Sequence, residues 1–276
     1  MPNQLDSRVR RTVLSIAGSD PTGGAGLQLD LQVFALHRVH GMAVPTALTA
    51  QTTRGVERVL PAFPNVVEEQ LRILLRDLDP DAIKLGMLAT DDIVLRVGRV
   101  LENHPAPRVV DPVLAASDGT LLLERRAYPT LVRCVIAGAA LVTPNLSEAE
   151  ALTGEADPER AAAALLEAGA QAVLVKGGHA DGAPDDLLTT AETSVWLRGK
   201  RSEHGAVHGT GCALSAAIAA RLARGEALGD AARGAKAFVE VAIEQSFVAG
   251  AGQRLLGLPD PESISGSVPR GDSRAI

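Results

Sequence analysis

Val13-Leu14-Ser15-Ile16-Ala17 runs directly into Gly18-Ser19-Asp20-Pro21-Thr22-Gly23-Gly24-Ala25-Gly26, and amphipathic residues follow at once. The first five residues read as a buried strand, the next nine as a permissive loop, and Ala25 to Val39 as a helix with Leu27, Leu31, Phe34 and Ala35 at helical spacing. A strand, a loop and a helix in that order belong to a parallel α/β sheet, where ligands gather at the carboxyl ends of the strands. The loop is not a P-loop, because Gly23-Gly24-Ala25 stands where Gly-Lys-Ser/Thr is required, and no G-x-G-x-x-G fits. A strand-end loop carrying one acid, Asp20, remains, suited to closing over a small polar ligand or serving as a turn.

The same alternation continues along the chain. Ala82-Ile83-Lys84-Leu85, Val109-Val110, Ala140-Leu141-Val142 and Ala172-Val173-Leu174-Val175 read as further buried strands, and Val66 to Leu78 as a helix. Such repetition predicts a mainly parallel central sheet with helices on both faces. Between Asp181 and Arg201, Ser194-Val195-Trp196-Leu197 suggests antiparallel strands at the sheet edge, and Ala213 to Ala223 and Ala231 to Phe247 predict two closing helices. The expected organisation is a flexible N-terminus (1–11), one α/β domain (12–258) and a flexible, Pro- and Ser-rich tail (259–276).

With 276 residues and 46% hydrophobic content the chain can bury a large core. A net charge of −6 and the lack of any basic run argue against a nucleic-acid groove. No apolar stretch reaches the length of a membrane span or signal peptide, and Cys134 and Cys212 lack CxxC spacing, so a reducing cytoplasm is expected.

His208-Gly209-Thr210-Gly211-Cys212 opens the first closing helix. Glycines turn backbone N–H groups outward, the first turn of a helix leaves its amides unpartnered, and the dipole adds positive charge, so the segment reads as an anion hole. Cys212 there is expected as a favoured thiolate. His204 and His208 lack the helix and glutamate of a zinc-protease motif and read as loop histidines.

Other strand ends carry polar groups. Gln51 closes the strand-like Thr46–Thr53 run with an amide able to donate and accept at a heteroaromatic edge. Asp30, at helical spacing near the first loop, reads as a surface acid. Asp111-Pro112-Val113 and Asn145-Leu146-Ser147-Glu148 could hold Mg²⁺ through water, although Asn with Glu three residues on also makes a helix cap. Lys176-Gly177-Gly178-His179 offers a point cation for phosphate.

Together these segments resemble the hydroxymethylpyrimidine/phosphomethylpyrimidine kinases of thiamine biosynthesis, members of the ribokinase-like superfamily. Ile16–Gly26, Thr46–Gln51 with Arg54-Gly55-Val56, Lys84-Leu85-Gly86-Met87-Leu88, Asp111–Val113, Thr143–Glu148, Lys176–His179 and His208–Cys212 occur in that family's order. The resemblance implies a ribokinase-like fold and ATP-dependent phosphorylation of 4-amino-5-hydroxymethyl-2-methylpyrimidine, then of its monophosphate. It implies that Gly18, Asp20, Ala25, Asp30, Gln51, Met87 and Val113 surround the pyrimidine. Cys212, where the superfamily usually has an aspartate base, would lie beside the reacting hydroxyl with a near-neutral pKa, and Gly209 and Gly211 would stabilise the transferring phosphoryl group. Lys176, Thr210 and Asn145 would approach ATP, and Asp111 and Glu148 would serve Mg²⁺, mostly through water. Relatives are often homodimers.

One departure stands out. After Asp-Pro-Val the family usually has Met-Val-Ala-Lys-Ser-Gly, whereas this chain has Leu114-Ala115-Ala116-Ser117-Asp118-Gly119, read as a lysine replaced by Ala116 with Asp118 an added acid. A pyridoxine/pyridoxal kinase is the nearest alternative. A pyrimidine sensor without transfer is another, opposed by intact Cys212, Lys176 and Asn145–Glu148.

Overall fold

A computed structural model describes residues 10–178 and 183–264. Its strands are β1 (Thr12–Ser19), β2 (His40–Thr52), β3 (Gly55–Pro61), β4 (Ala82–Leu85), β5 (Arg108–Val110), β6 (Leu141–Val142), β7 (Ala172–Val175), β8 (Asp186–Thr190), β9 (Ser194–Leu197), β10 (Val207–His208) and β11 (Arg254–Leu255). The α-helices are α1 (Gly26–Leu36), α2 (Pro64–Asp77), α3 (Asp91–Leu101), α4 (Tyr128–Leu131), α5 (Leu146–Thr153), α6 (Pro158–Glu167), α7 (Thr210–Ala223), α8 (Leu228–Glu244) and α9 (Pro261–Ile264).

Among the described residues, nine strands form one sheet in the order β3-β2-β1-β4-β5-β6-β7-β8-β9. Strands β2, β1, β4, β5, β6 and β7 run parallel, while β3, β8 and β9 are antiparallel additions at the two edges. Its topology and strand composition agree with the sequence pattern: the four residues of both β4 and β7 are wholly buried, as strands covered on both faces must be. One core packs α2, α3, α5 and α6 against the sheet, and a second packs α1, α7 and α8 on the opposite face. The antiparallel β8–β9 pair carries the expected edge strand Ser194–Leu197. No helix among the described residues is long and apolar enough to cross a membrane.

Two terminal expectations change. Arg11 forms an ion pair with Asp81 at 2.5 Å, and its carbonyl accepts the His40 amide, so order begins before residue 12. At the other end α9 buries Pro261 and Ile264, and Arg38 pairs with Glu262 at 2.8 Å. Composition hid this helix because two apolar side chains suffice to dock one turn onto the second core.

Strand order reverses at β1, whose successor β2 lies on one side and β4 on the other. Such a switch point opens a crevice beyond the carboxyl ends of the strands. Directly beneath it, Lys84 on β4 is fully buried and donates to both oxygens of Asp30 on α1, at 2.9 and 3.1 Å, while Ser15 on β1 donates to Asp30 at 2.6 Å. Strand, helix and neighbouring strand are thereby tied through one buried ion pair. Removing one partner strands a charge in a dry site, so Lys84→Met should cost about 3–5 kcal/mol in urea denaturation. The double change Lys84→Met/Asp30→Leu should recover most of that loss; equal instability of both variants would contradict the pairing.

Candidate active site

The carboxyl edge of the sheet brings together loops from β1, β4, β5, β6 and β7 with the start of α7. Gly209 caps that helix at φ +83°, a left-handed conformation natural to glycine, and contributes no side-chain hydrogen bond. The first-turn amides therefore keep their binding capacity. A Cβ on Gly209 would fall 1.8 Å from the Gly24 carbonyl oxygen, so the two glycine-rich loops touch through bare backbone. A Cβ on Gly211 would meet Lys176 Nζ at 3.0 Å and Asp111 Oδ2 at 3.7 Å, which places the helix start against the charged strand ends.

Those charges form one cluster. Lys176 Nζ donates to Asp111 Oδ1 at 2.8 Å and lies 3.9 Å from Glu148 Oε2. Thr143 Oγ1 and Ser215 Oγ, each 3.3 Å from a carboxylate oxygen of Asp111, complete its shell. Burial works against the Lys176 charge, yet Asp111 and Glu148 hold its pKa above that of a free lysine. Burial also opposes ionised Asp111, but Lys176 and Lys84 keep its carboxyl below the usual range. Glu148 is pushed up to about 7 by burial, which Lys176 resists and Asp111 reinforces. Asn145 and Glu148 form a full capping box, each side chain meeting the other's amide at 2.8 Å. The cap and the cluster are one structure: capping α5 is what points Glu148 towards Lys176.

The expected ring-binding residues separate into two groups. Gly18 faces Met87, since a Cβ there would lie 2.7 Å from Met87 Sδ, and Met87 shares a small apolar cluster with Val113, Val56 and Ala116. Ala25, half-buried, is the N-cap of α1, and half-buried Gln51 is the last but one residue of β2. Asp20 and Asp30 are committed elsewhere. Asp30, expected as a surface acid, is fully buried under Lys84 and Ser15 and has no exposed atom to offer a ring. Asp20, 3% exposed, accepts Thr22 amide and hydroxyl hydrogen bonds at 2.8 and 2.9 Å and contacts His208 Nε2 at 2.8 Å. Burial alone raises its pKa, but His208, Thr22 and Gln51 outweigh that and hold the carboxyl low.

Cys212 departs most from expectation. It is half-buried beside the Gly26 amide, and burial pushes its thiol up to about 11 although Lys84 opposes the shift. Asp111 and Asp30 add to the rise. The anticipated near-neutral thiolate does not form, because a helix N-terminus and one lysine do not replace lost water while two carboxylates stand nearby.

Counting the family pattern residue by residue from Leu114 puts its lysine at Ser117 and its serine at Asp118. Ala116 instead packs with Met87 and Val113, so its lack of charge suits its surroundings. His179 lies outside the described residues. Sequence reading passed over Lys84, Ser15, Thr143, Ser215 and His208. A lysine inside Ala82-Ile83-Lys84-Leu85, where every neighbour is apolar, was a legible signal of a buried acidic partner.

A ribokinase-like sheet whose carboxyl edge joins a glycine-rich helix start without a side-chain cap, a lysine–carboxylate cluster and a small apolar cluster defines a small-molecule phosphotransferase. Residues 20–256 match the model of the phosphomethylpyrimidine kinase family, and the chain belongs to it. The hydroxymethylpyrimidine/phosphomethylpyrimidine kinase of Streptomyces coelicolor is 41% identical over 245 residues, covering 87% of this chain and 91% of that protein. Its counterpart in Rhizobium meliloti is 44% identical over 237 residues, covering 83% and 89%. Among solved structures, pyridoxal kinase from Staphylococcus aureus in complex with AMP-PCP superposes with a TM-score of 0.81 at 35% identity, covering 90% of this chain and 93% of that one.

The raised thiol has a direct readout. Iodoacetamide alkylation of Cys212, followed by mass spectrometry of the peptide, should be slower at pH 7.5 than that of free cysteine and should still be rising with pH above 9. A rate that levels off near pH 7 would show a thiolate and contradict the burial argument.

Proposed function

We propose that this protein transfers the γ-phosphoryl group of ATP to the hydroxymethyl oxygen of 4-amino-5-hydroxymethyl-2-methylpyrimidine, and then phosphorylates the monophosphate, in thiamine biosynthesis. The observation that carries the reading is the contact of Gly211 with Lys176 and Asp111, which sets an anion-binding helix start beside a cation at the same carboxyl edge of the sheet as the Gly18–Met87–Val113 cluster. Two free cysteines fit a cytoplasmic setting.

In this reading Gln51 meets the amino and nitrogen edge of the ring, Met87 and Val113 pack against it, and the hydroxymethyl group points at Cys212. The hydroxyl oxygen attacks the γ-phosphorus, the bond to ADP breaks, and the first-turn amides of α7 receive the charge on the phosphoryl oxygens. Because the transition state is loose, the hydroxyl proton leaves late, onto the phosphoryl oxygens, and placement outweighs base strength. Cys212, neutral at rest, orients the hydroxyl by accepting its hydrogen bond. Lys176 exchanges part of its carboxylate pairing for ATP phosphate, with Thr210 and Asn145 alongside.

Mg²⁺ prefers oxygen ligands and retains waters, so it needs few protein groups. Asp111 and Glu148, two buried carboxylates 2.8 and 3.9 Å from the same lysine, fit such a water-mediated role. Bound there, the ion would neutralise triphosphate charge.

The structural likeness to pyridoxal kinase supports one second reading, since pyridoxal also carries a hydroxymethyl group on a heteroaromatic ring. Purified protein with Mg²⁺-ATP should consume ATP with the pyrimidine and with its monophosphate, giving products heavier by one phosphoryl group each. Faster turnover of pyridoxal would overturn the substrate assignment. Cys212→Ala removes that orienting contact and should lower kcat about 10²-fold, the scale of a misplaced reacting group, while the KM for ATP moves less than about threefold. A rise in the ATP KM with kcat intact would place Cys212 in nucleotide binding instead.

A further inference from the structure

The β2–β3 turn, residues 52–55, exposes Thr52 and Arg54 and is gripped from two sides. On one side the Gly252 amide donates to Thr53 Oγ1 at 3.1 Å and the Gln253 amide to the Thr53 carbonyl at 2.7 Å. On the other stands Asp118. Its Oδ2 accepts the Val56 amide at 2.8 Å, and its Oδ1 accepts the Thr120 amide of its own loop at 2.8 Å. These amides hold the Asp118 carboxyl below the usual range. Gly55, at φ +150°, makes the approach possible, because a Cβ there would lie 2.2 Å from Asp118 Oδ2.

Val56 is the residue directly opposite Gln51 in the hairpin, and the register shifts between Ala50 and Gln51. An irregular register at an edge is weakly specified by side-chain pattern, so an outside contact must fix it. The carboxylate that takes the Val56 amide is such a contact. Gln51, Val56, Ala116 and Asp118 line one cavity together with His208 and Gln253.

We propose that Asp118 is a positioning residue for substrate recognition: it pins the hairpin turn to the 116–120 loop and so holds Gln51 in place for the ring. The inference rests on the assignment of Gln51 to a heteroaromatic substrate. The hairpin tip lies outside both large cores, so the pin governs local order more than global stability. Its loss weakens ring binding and leaves the phosphoryl-transfer end, built on α7, unaffected.

The test compares Asp118→Ala and Asp118→Asn with the wild type by steady-state kinetics, thermal unfolding and hydrogen exchange at the Val56 amide. Asp118→Ala should speed Val56 exchange at least about tenfold and raise the KM for the pyrimidine about tenfold, the scale of one charge-assisted hydrogen bond. The kcat and the ATP KM should stay within about twofold. Asn, which keeps one acceptor oxygen, should fall between. Unchanged Val56 exchange would overturn the pin, and so would faster exchange with an unchanged pyrimidine KM. A parallel drop in kcat and Tm would likewise overturn it, as the mark of a merely structural residue. If wild-type protein turns over pyridoxal and not the pyrimidine, the substrate assignment fails while the Val56 exchange and the KM comparison, made on pyridoxal, still decide the role of Asp118.

Discussion

Two loops meet through backbone alone where Gly24 faces Gly209, and the active edge of the sheet is organised around that contact. Any side chain on Gly209 would collide with the Gly24 carbonyl, and its positive φ is needed to start α7 at that angle. Close approach brings His208 onto Asp20, Cys212 onto the Gly26 amide and Gly211 onto Lys176. A helix that began one residue later, or stood off by a side chain, would lose all three contacts together. The α7 N-terminus is left without a side-chain cap in a chain that caps α3 with Thr90 and α6 with Asp157. α1, α2 and α8 also begin without a side-chain cap, but the α7 start lies against Lys176 and Asp111, and its open amides suit the transferring phosphoryl group of the proposed reaction.

Charge at the site is arranged in two layers. Beneath the edge, Lys84 and Asp30 neutralise each other out of reach of water; at the edge, Lys176 is shared between Asp111 and Glu148. Cys212 stands between the layers, near cations and carboxylates at once, and burial decides the balance in favour of the neutral thiol. This agrees with chemistry in which the attacking oxygen keeps its proton until late. Lys176 is already charged and held without nucleotide, so in the proposed reaction ATP would exchange one set of its anionic partners for another and avoid desolvating a free ammonium.

Much of this was legible in the chain. The strand-loop-helix start, the buried strands and the Gly209–Cys212 helix opening follow from periodicity and glycine placement, and the parallel sheet follows from their alternation. The long-range pairings were not legible. Asp30 has the spacing of a surface acid, and only the fold shows Lys84 arriving from a strand 54 positions later. His208 looked like a loop residue because its partner Asp20 is 188 positions away. Cys212 misled in a different manner: local sequence reports the helix dipole but not the desolvation or the neighbouring carboxylates. The hairpin strand β3 escaped notice because none of its residues is fully buried and the adjacent Glu57 and Arg58 break the two-residue period of Val56, Val59 and Leu60.

The claim that the open start of α7 receives the transferring group is tested most directly by NMR of ¹⁵N-labelled protein titrated with ADP and then with a non-hydrolysable ATP analogue. The amide resonances of Gly211 and Cys212 should move when the γ-phosphate is present and stay near their free positions with ADP. Equal shifts with both nucleotides, or γ-phosphate-dependent shifts confined to the Gly23–Gly26 loop, would contradict the account and move the phosphoryl site away from α7.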